Sequence, residues 1–371
     1  MKKISALLIA LALGTALFAA PNGNVAWKAR WMTKAQCNSG TNSWIGFRKK
    51  VTIEKVPGTL EAKIAADTKY WLWINGELIV YEGGLKRGPS PSGTYYDRVD
   101  IAPYLHEGEN LIAILLWHLG QNGFSHINSG TAAVLFEAEG PGIEILSGGD
   151  WEASVIHSYK TASTPPLNYR LPECSVRFDA NAYPLNWYKG EAPKFMGSSL
   201  ELPFEPGKAP FGELVERPIP LWKDYGMRDY ESVSRRGDTL VCRLPYNCHV
   251  NPFLKVEAPE GKVIRMETDH AIVTKTECVR AEYVTREGIQ EYEHFCWMNG
   301  EYMYYIIPEG VNVLEVKYRE TGYGTEFSGR FTCDDAFLNS YWQKAARTLY
   351  VCMRDTYYDC PDRERAQWWG D

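Results

Sequence analysis

No Cys-x-x-Cys pair, no His-Glu-x-x-His, no Gly-x-Ser-x-Gly elbow, no P-loop and no dinucleotide glycine fingerprint occurs in the 371 residues. Their absence removes the usual signatures of a zinc module, a zinc hydrolase, a nucleophile-elbow hydrolase and a nucleotide enzyme. The seven histidines, at 106, 118, 126, 157, 249, 270 and 294, lack metal-ligand spacing. Packing or surface placement is the reading for each, and neither a metal nor a cofactor is expected. Asp67, Glu82, Asp97 and Asp100 could supply calcium oxygens, but they match no calcium-loop spacing. Basic charge is not in excess: 40 Lys and Arg stand against 46 Asp and Glu, a net of −6. Without a basic stripe, nucleic acid is not an expected partner. Nothing downstream of the first twenty residues is apolar for long enough to suggest stable membrane insertion.

What is present begins with Met1-Lys-Lys and an apolar run from Ile4 to Ala20. A basic start followed by a long apolar stretch is the pattern of a bacterial secretory signal, which predicts export to the periplasm or the medium. An uncleaved anchor is the alternative, because no small-x-small site precedes Pro21. The nine cysteines are scattered, which fits neither a zinc pattern nor a disulfide scaffold. Export would permit disulfides, with Cys242 and Cys248 as a conceivable pair. The 13 tryptophans and 23 tyrosines are a heavy aromatic load. Such rings fill sandwich cores or stack on sugar faces.

From Trp27 to about Gly149, short strands alternate with turn signals, the pattern of an antiparallel sandwich. Tyr70-Trp-Leu-Trp-Ile74 leads into Asn75-Gly76, a strong hairpin signal, and Glu77-Leu-Ile-Val-Tyr81 returns. Trp71 and Trp73 must share one face of that strand, with Leu72 and Ile74 on the other. Core packing is the reading for Trp71, Trp73 and Trp117, and a sugar platform the alternative. Leu111-Ile-Ala-Ile-Leu-Leu-Trp117 reads as a strand buried on both faces. Residues 185–232 change character, with prolines at 203, 206, 210, 218 and 220 marking a connector. A second strand-rich region follows to about Phe331, its strands including Val263–Glu267, Glu301–Ile307 and Val311–Tyr318, with a turn expected at Met298-Asn-Gly300. Helical spacing is seen only at the end: Phe337, Leu338, Tyr341, Trp342, Ala345, Leu349 and Cys352 recur behind a cap at Asp334 or Asp335.

The last thirteen residues, Asp359-Cys-Pro-Asp-Arg-Glu-Arg-Ala-Gln-Trp-Trp-Gly-Asp371, set four carboxylates among arginines and indoles. A carboxylic acid can protonate a glycosidic oxygen while its neighbours hold the sugar, so this composition suits a carbohydrate cleft. A solvated charged loop is the bland reading. The stretch resembles the signature of the bacterial α-L-rhamnosidases, glycoside hydrolase family 78: Asp-Cys-Pro-x-Arg-x-Glu-Arg or a variant one residue shorter, then Gly-Trp-x-Gly-Asp. Gln367 stands where that family usually has glycine, and Asp362 where glutamine is common.

The resemblance implies Glu364 as general acid and Asp359, Arg363 and Asp371 as sugar ligands, with Trp368 and Trp369 beside them. It also implies rhamnose-containing glycans as partners, and an inverting mechanism whose base, a glutamate far downstream in the barrel, is not in this chain. A second likeness runs through Trp73-Ile-Asn-Gly76 and Asp100-Ile-x-x-Tyr-Leu-x-x-Gly-Glu-Asn110. That order resembles the galactose-binding-like jelly roll of rhamnosidases and some β-galactosidases.

The expected fold is therefore mostly β: two antiparallel, jelly-roll-like sandwiches, then the first helix of a truncated (α/α)6 barrel. The divisions are a signal at 1–20, a galactose-binding-like sandwich at 21–184, a connector at 185–232, a second sandwich at 233–333, and the start of the catalytic domain at 334–371. The chain reads as the N-terminal part of a secreted glycoside hydrolase, itself inactive. Alternatives are a non-catalytic carbohydrate-binding protein, or a six-hairpin glycosidase for another sugar.

Overall fold

The structure, a computed structural model, describes residues 26–35, 41–85, 87–123, 126–162, 175–193, 195, 197–273 and 275–368. The expected signal, Cys37, Cys174, Trp369 and Asp371 lie outside them. Among the described residues no helix is long and apolar enough to cross a membrane.

The strand Gly108–His118 sits at the centre of the fold. It pairs antiparallel with Ser43–Ile53 on one side and Lys69–Ile74 on the other, in a five-stranded sheet completed by Glu152–Val155 and Glu77–Gly83. Its apolar run divides by parity. Ile112, Ile114 and Leu116 join Leu72 and Ile74 in a core shared with Ile64, Val134 and Phe136 of a seven-stranded sheet. Ala113, Leu115 and Trp117 join Trp71 and Trp73 in a second core shared with Val250, Met298 and Tyr305 of a ten-stranded sheet. The five-stranded sheet is thus the middle layer of three, which is why this strand needs apolar residues at consecutive positions. Each large side chain so enclosed contributes roughly 1.5–3 kcal/mol relative to exposure.

Trp71 and Trp73 do share a face, and Trp71, Trp73 and Trp117 are all buried in that second core. Asn75 and Gly76 form the expected hairpin turn, both with positive φ (53° and 85°), as a two-residue primed turn requires. The Asn75 side chain fixes it further, accepting from Leu111 N at 2.9 Å and donating to Tyr104 O at 3.0 Å.

The ten-stranded sheet is built on the long strand Thr239–Ala258, flanked by Met298–Ile306 and Asn312–Gly322. Strands from earlier in the chain, Tyr159–Thr161 and Val176–Asp179, extend it, as does Lys223–Arg228. The proline-marked stretch also gives Leu214–Glu216 to the seven-stranded sheet.

Two expectations are corrected here. Met298-Asn-Gly300 is not a turn but the start of a strand. A Cβ at Gly300 would stand 2.5 Å from Asp269 Oδ1, so this glycine allows close approach rather than chain reversal. Cys242 and Cys248 are buried thiols with no bridge. They lie six residues apart on the single strand Thr239–Ala258, and a rise of about 3.3 Å per residue separates them far beyond disulfide reach, even with a bulge between.

Helix α1, Ala336–Val351, starts at Asp335, whose carboxylate accepts from Phe337 N and Leu338 N. Only its C-terminal end is buried, at Tyr350 and Val351, while Phe337, Leu338, Tyr341 and Leu349 are exposed.

Candidate functional site

Just beyond α1 the chain is fixed by charge rather than by apolar packing. Arg354, 1% exposed, donates to Glu82 Oε2 at 3.1 Å and to Thr321 Oγ1 at 3.2 Å. Glu82 belongs to the five-stranded sheet and also takes Lys69 Nζ at 2.6 Å; Thr321 belongs to the ten-stranded sheet. One guanidinium therefore ties the C-terminal segment to both β layers. Its plane also lies against the indoles of Trp222 and Trp297, at 4.8 and 5.1 Å. His249 completes the junction, its Nε2 donating to Val351 O at 2.8 Å. Burial, and then the Arg354 charge, keep its pKa well below the usual imidazole value. The ring is neutral, leaving Nδ1 to face Arg354 as an acceptor at 3.5 Å.

On this base the acid-rich motif forms a closed loop. Asp359 N donates to Ala366 O at 2.9 Å, and Ala366 N returns to Asp359 Oδ1 at 3.3 Å. Arg365 is wholly buried and has φ +49°, a region that side chains other than glycine enter at a cost of about 1–3 kcal/mol. The surroundings fix it there. Its guanidinium lies 3.2 Å from the Trp297 ring centre and donates to Trp297 O at 2.9 Å and Pro361 O at 2.7 Å.

With Arg365 pinned beneath, the chain presents Glu364 and Asp359 to a common partner. Arg363 Nε is 3.3 Å from Glu364 Oε1, and its Nη2 is 3.8 Å from Asp359 Oδ2. The other Glu364 oxygen accepts from the Trp368 indole N–H at 2.9 Å. Glu364 is 6% exposed. The Cys360 thiol donates to Asp359 Oδ2 at 3.2 Å. Burial raises its pKa, so it serves as a donor and not as a thiolate nucleophile.

The turn after Val263–Thr268, a strand of the ten-stranded sheet, reaches the loop through His270. Its Nδ1 lies 3.4 Å from Asp362 Oδ2 and 3.0 Å from Asn299 Oδ1, and Nε2 faces Asp269 Oδ2 at 3.8 Å. Hydrogen bonding to Asp362 raises its pKa to about 9, against the opposing effect of burial. Asp362 thus answers a cation from another part of the chain.

On its other flank the loop borders a cavity of about 200 Å3, walled by Asp355, Arg365 and Gln367 from this segment and by Arg87, Tyr95 and Pro218. Gln367 there accepts from Thr356 Oγ1 at 2.8 Å.

Of the six residues singled out by sequence, Glu364, Asp359, Arg363 and Trp368 come together in one contact network. Trp369 and Asp371 lie outside the described residues. Arg354, Arg365, His249 and His270 were not singled out, Glu82 was considered only as a calcium ligand, and most of these partnerships could not have been read: Glu82 and Arg354 are brought together from 272 positions apart. Arg365 alone carried a signal, being part of the signature itself. Asp67, Glu82, Asp97 and Asp100 do not converge. They answer His118, Lys69 with Arg354, Tyr70 with Arg217, and backbone N–H groups respectively. Among the described residues no group of three or more His, Cys, Asp or Glu is placed to hold a metal.

These features define a class: a layered β protein whose C-terminal segment runs into a helix and an acid-rich loop. The particular kinship follows from comparison. Residues 326–371 match the family model of the bacterial alpha-L-rhamnosidase 6 hairpin glycosidase domain. The GH78 family rhamnosidase of Bacillus sp. GL1 superposes with a TM-score of 0.75 at 16% identity, over 91% of this chain and 60% of that one. The α-L-rhamnosidase of Dictyoglumus thermophilum gives 0.71 at 19% identity, over 93% and 41%. The Streptomyces avermitilis α-L-rhamnosidase, complexed with L-rhamnose, gives 0.68 at 17% identity, over 88% and 33%. No curated protein matches the sequence. The chain spans 60% or less of the length of these three structures. It has the fold of that part of those structures, and its residues 326–371 are similar to the six-hairpin glycosidase domain.

Proposed function

We propose that this chain is the sandwich portion and catalytic-domain entry of an exported, inverting glycosidase that releases terminal α-L-rhamnose from glycans. The observation that carries the reading is the juxtaposition, inside the segment matching the six-hairpin domain, of buried Glu364 with Asp359 through Arg363. Glu364 is the general acid, and Asp359 and Arg363 hold sugar hydroxyls. Trp368 orients the acid through its indole N–H. Trp369 and Asp371 complete the sugar contacts, as the resemblance implies. An inverting reaction needs a second carboxylate roughly 6.5–9.5 Å away to activate water on the opposite ring face. That base belongs to the remainder of the barrel, so this chain alone turns over no substrate.

The test uses the open reading frame extended to a complete barrel. Glu364→Gln is expected to lower turnover of an alkyl α-L-rhamnoside by about 10²–10⁴ with the melting temperature kept, the range a general acid supplies. A p-nitrophenyl rhamnoside, whose leaving group needs no proton, should lose less. Equal losses on both substrates, or normal turnover in the variant, would overturn the assignment. The anomer first released, followed by NMR, tests inversion.

A further inference from the structure

Away from the acid-rich loop, a cavity of about 460 Å3 opens where the five-stranded sheet meets the ten-stranded one. Its size falls within the roughly 300–1,000 Å3 of small-molecule sites. Rings form much of its wall. Trp73, Tyr283 and Tyr292 are buried and fixed, Tyr283 stacking on Tyr292 at 4.7 Å. Tyr183, Tyr188 and Phe295 are only partly buried and present ring surface to the space. Tyr188 leans on Trp73 at 5.2 Å, and the Trp187 indole N–H fixes Tyr183 by donating to its hydroxyl at 2.9 Å. The wall is built in advance of any ligand. Gly76 presses so closely on it that an added Cβ would stand 2.6 Å from Lys189 Cβ.

Charged groups also line the cavity, and both of its carboxylates are matched by cations. Glu293 is held by Arg319 through two contacts, at 2.6 and 3.2 Å, and Arg319 also meets Asp224 at 2.7 Å. Glu291 meets Lys255 at 2.8 Å. The Arg286 guanidinium donates to the carbonyls of Glu287 and Ile289. With both carboxylates paired, the lining disfavours a cationic ligand and offers hydrogen-bonding atoms to a neutral one. A D-glucuronate control reads whether Arg286 and Lys189, which lies 5.7 Å over the Tyr188 ring, draw an anion instead. A ligand with an apolar face for the rings and hydroxyls for the rim is a pyranose.

We propose that this cavity is an ancillary binding site for a neutral mono- or disaccharide unit, separate from the hydrolytic residues. The proposal does not depend on the rhamnosidase reading, because the 371-residue chain itself carries every wall residue. Calorimetric titration of that chain with L-rhamnose, D-galactose, D-glucose and their methyl glycosides, with D-glucuronate as the anionic control, tests it.

Saturable binding of at least one neutral sugar is expected, with a Kd of about 1 mM or tighter and a change in tryptophan emission from Trp73. Tyr188→Ala should weaken it at least about tenfold, the loss of one stacking ring, while Tyr188→Phe keeps it. Ile289→Trp, at an exposed position on the rim, should narrow the mouth and weaken binding with the fold untouched, even if Tyr188→Ala unfolds the chain. Absence of saturable binding by every neutral sugar overturns the proposal. So does binding that survives both Tyr188→Ala and Ile289→Trp, or a preference for glucuronate. Glu364→Gln should leave this binding unchanged, which keeps its outcome distinct from that of the hydrolysis experiment.

Discussion

The middle β layer and the C-terminal segment are held in place by opposite means. In the strand Gly108–His118 every residue from Ala113 to Trp117 is nearly free of solvent, and the interaction is apolar on both faces. In the segment after α1 the fully buried side chains include Arg354 and Arg365, while large apolar residues of the helix face outward. Apolar packing is non-directional and tolerates small adjustments, whereas buried guanidinium groups accept one geometry and penalise loss of a partner. The loop that presents Glu364 and Asp359 to Arg363 has the second kind of anchorage. The acid-rich loop is thus held by directional contacts, on a scaffold that area burial stabilises.

The largest expected effect breaks the directional side. Arg354→Met leaves Glu82 buried with Lys69 but without its second cation, and should cost about 3–5 kcal/mol in urea unfolding. Adding Glu82→Gln then takes the carboxylate from buried Lys69 as well, so the two losses should not simply add, a non-additivity measurable in a double-mutant cycle. Strict additivity would show that the junction is no network. The apolar side should respond more gently. Ile114→Val trims one methylene between the five- and seven-stranded sheets and should cost about 0.5–1.5 kcal/mol.

The same contrast explains what could be read from the sequence. Leu72 and Trp73 declare their opposite faces by strand parity, and Asn75-Gly76 declares its turn by local backbone demand, so the layers of the middle sheet were legible. That the sheet lies between two others was visible only as the unbroken apolar run at 111–117, and the partner layers were not. Met298-Asn-Gly300 misled because glycine permits both a turn and a close strand approach, and only Asp269 opposite decides between them. In the loop, the motif nominated Glu364, Asp359 and Arg363 together. Periodicity could not foretell that His249 and Glu82 from distant strands, and His270 from a turn after Val263–Thr268, come to hold it, since such partners obey no spacing rule.

Smaller still is the pH response of the His270 contact. Asp362 raises the His270 pKa from 6.5 to about 9 in the folded chain, so the folded state binds the proton more tightly than the unfolded one. The stability this adds is complete below pH 6.5 and is lost as pH rises through about 9. With the side chain about one-third exposed, screening should hold the effect below about 1 kcal/mol. His249 and His294 act in the other direction. Burial lowers the His294 pKa to about 3 and that of His249 well below normal. The unfolded chain therefore takes up protons first, and stability falls as pH drops below 6.5. Urea midpoints measured across pH should show both limbs. His270→Gln should flatten the alkaline limb alone, and a change confined to the acid limb would contradict the assignment of His270.

The smallest effect is expected where the contrast is sharpest, on the outer face of α1. Phe337 is 72% exposed and Tyr341 63%, their rings stacked on each other at 6.1 Å. In this chain Phe337→Ala removes little buried area and should change stability by no more than about 0.5 kcal/mol. If α1 is the first helix of a barrel, the same substitution in the extended protein removes a ring from an interface between helices. There it should cost about 3–5 kcal/mol, as for other buried aromatics. Paired melts of the short and extended proteins, each with and without Phe337→Ala, measure that difference directly. A negligible cost in both would mean that further helices do not cover this face, and would remove α1 from the proposed barrel. A large cost already in the short chain would mean that the face is buried by self-association.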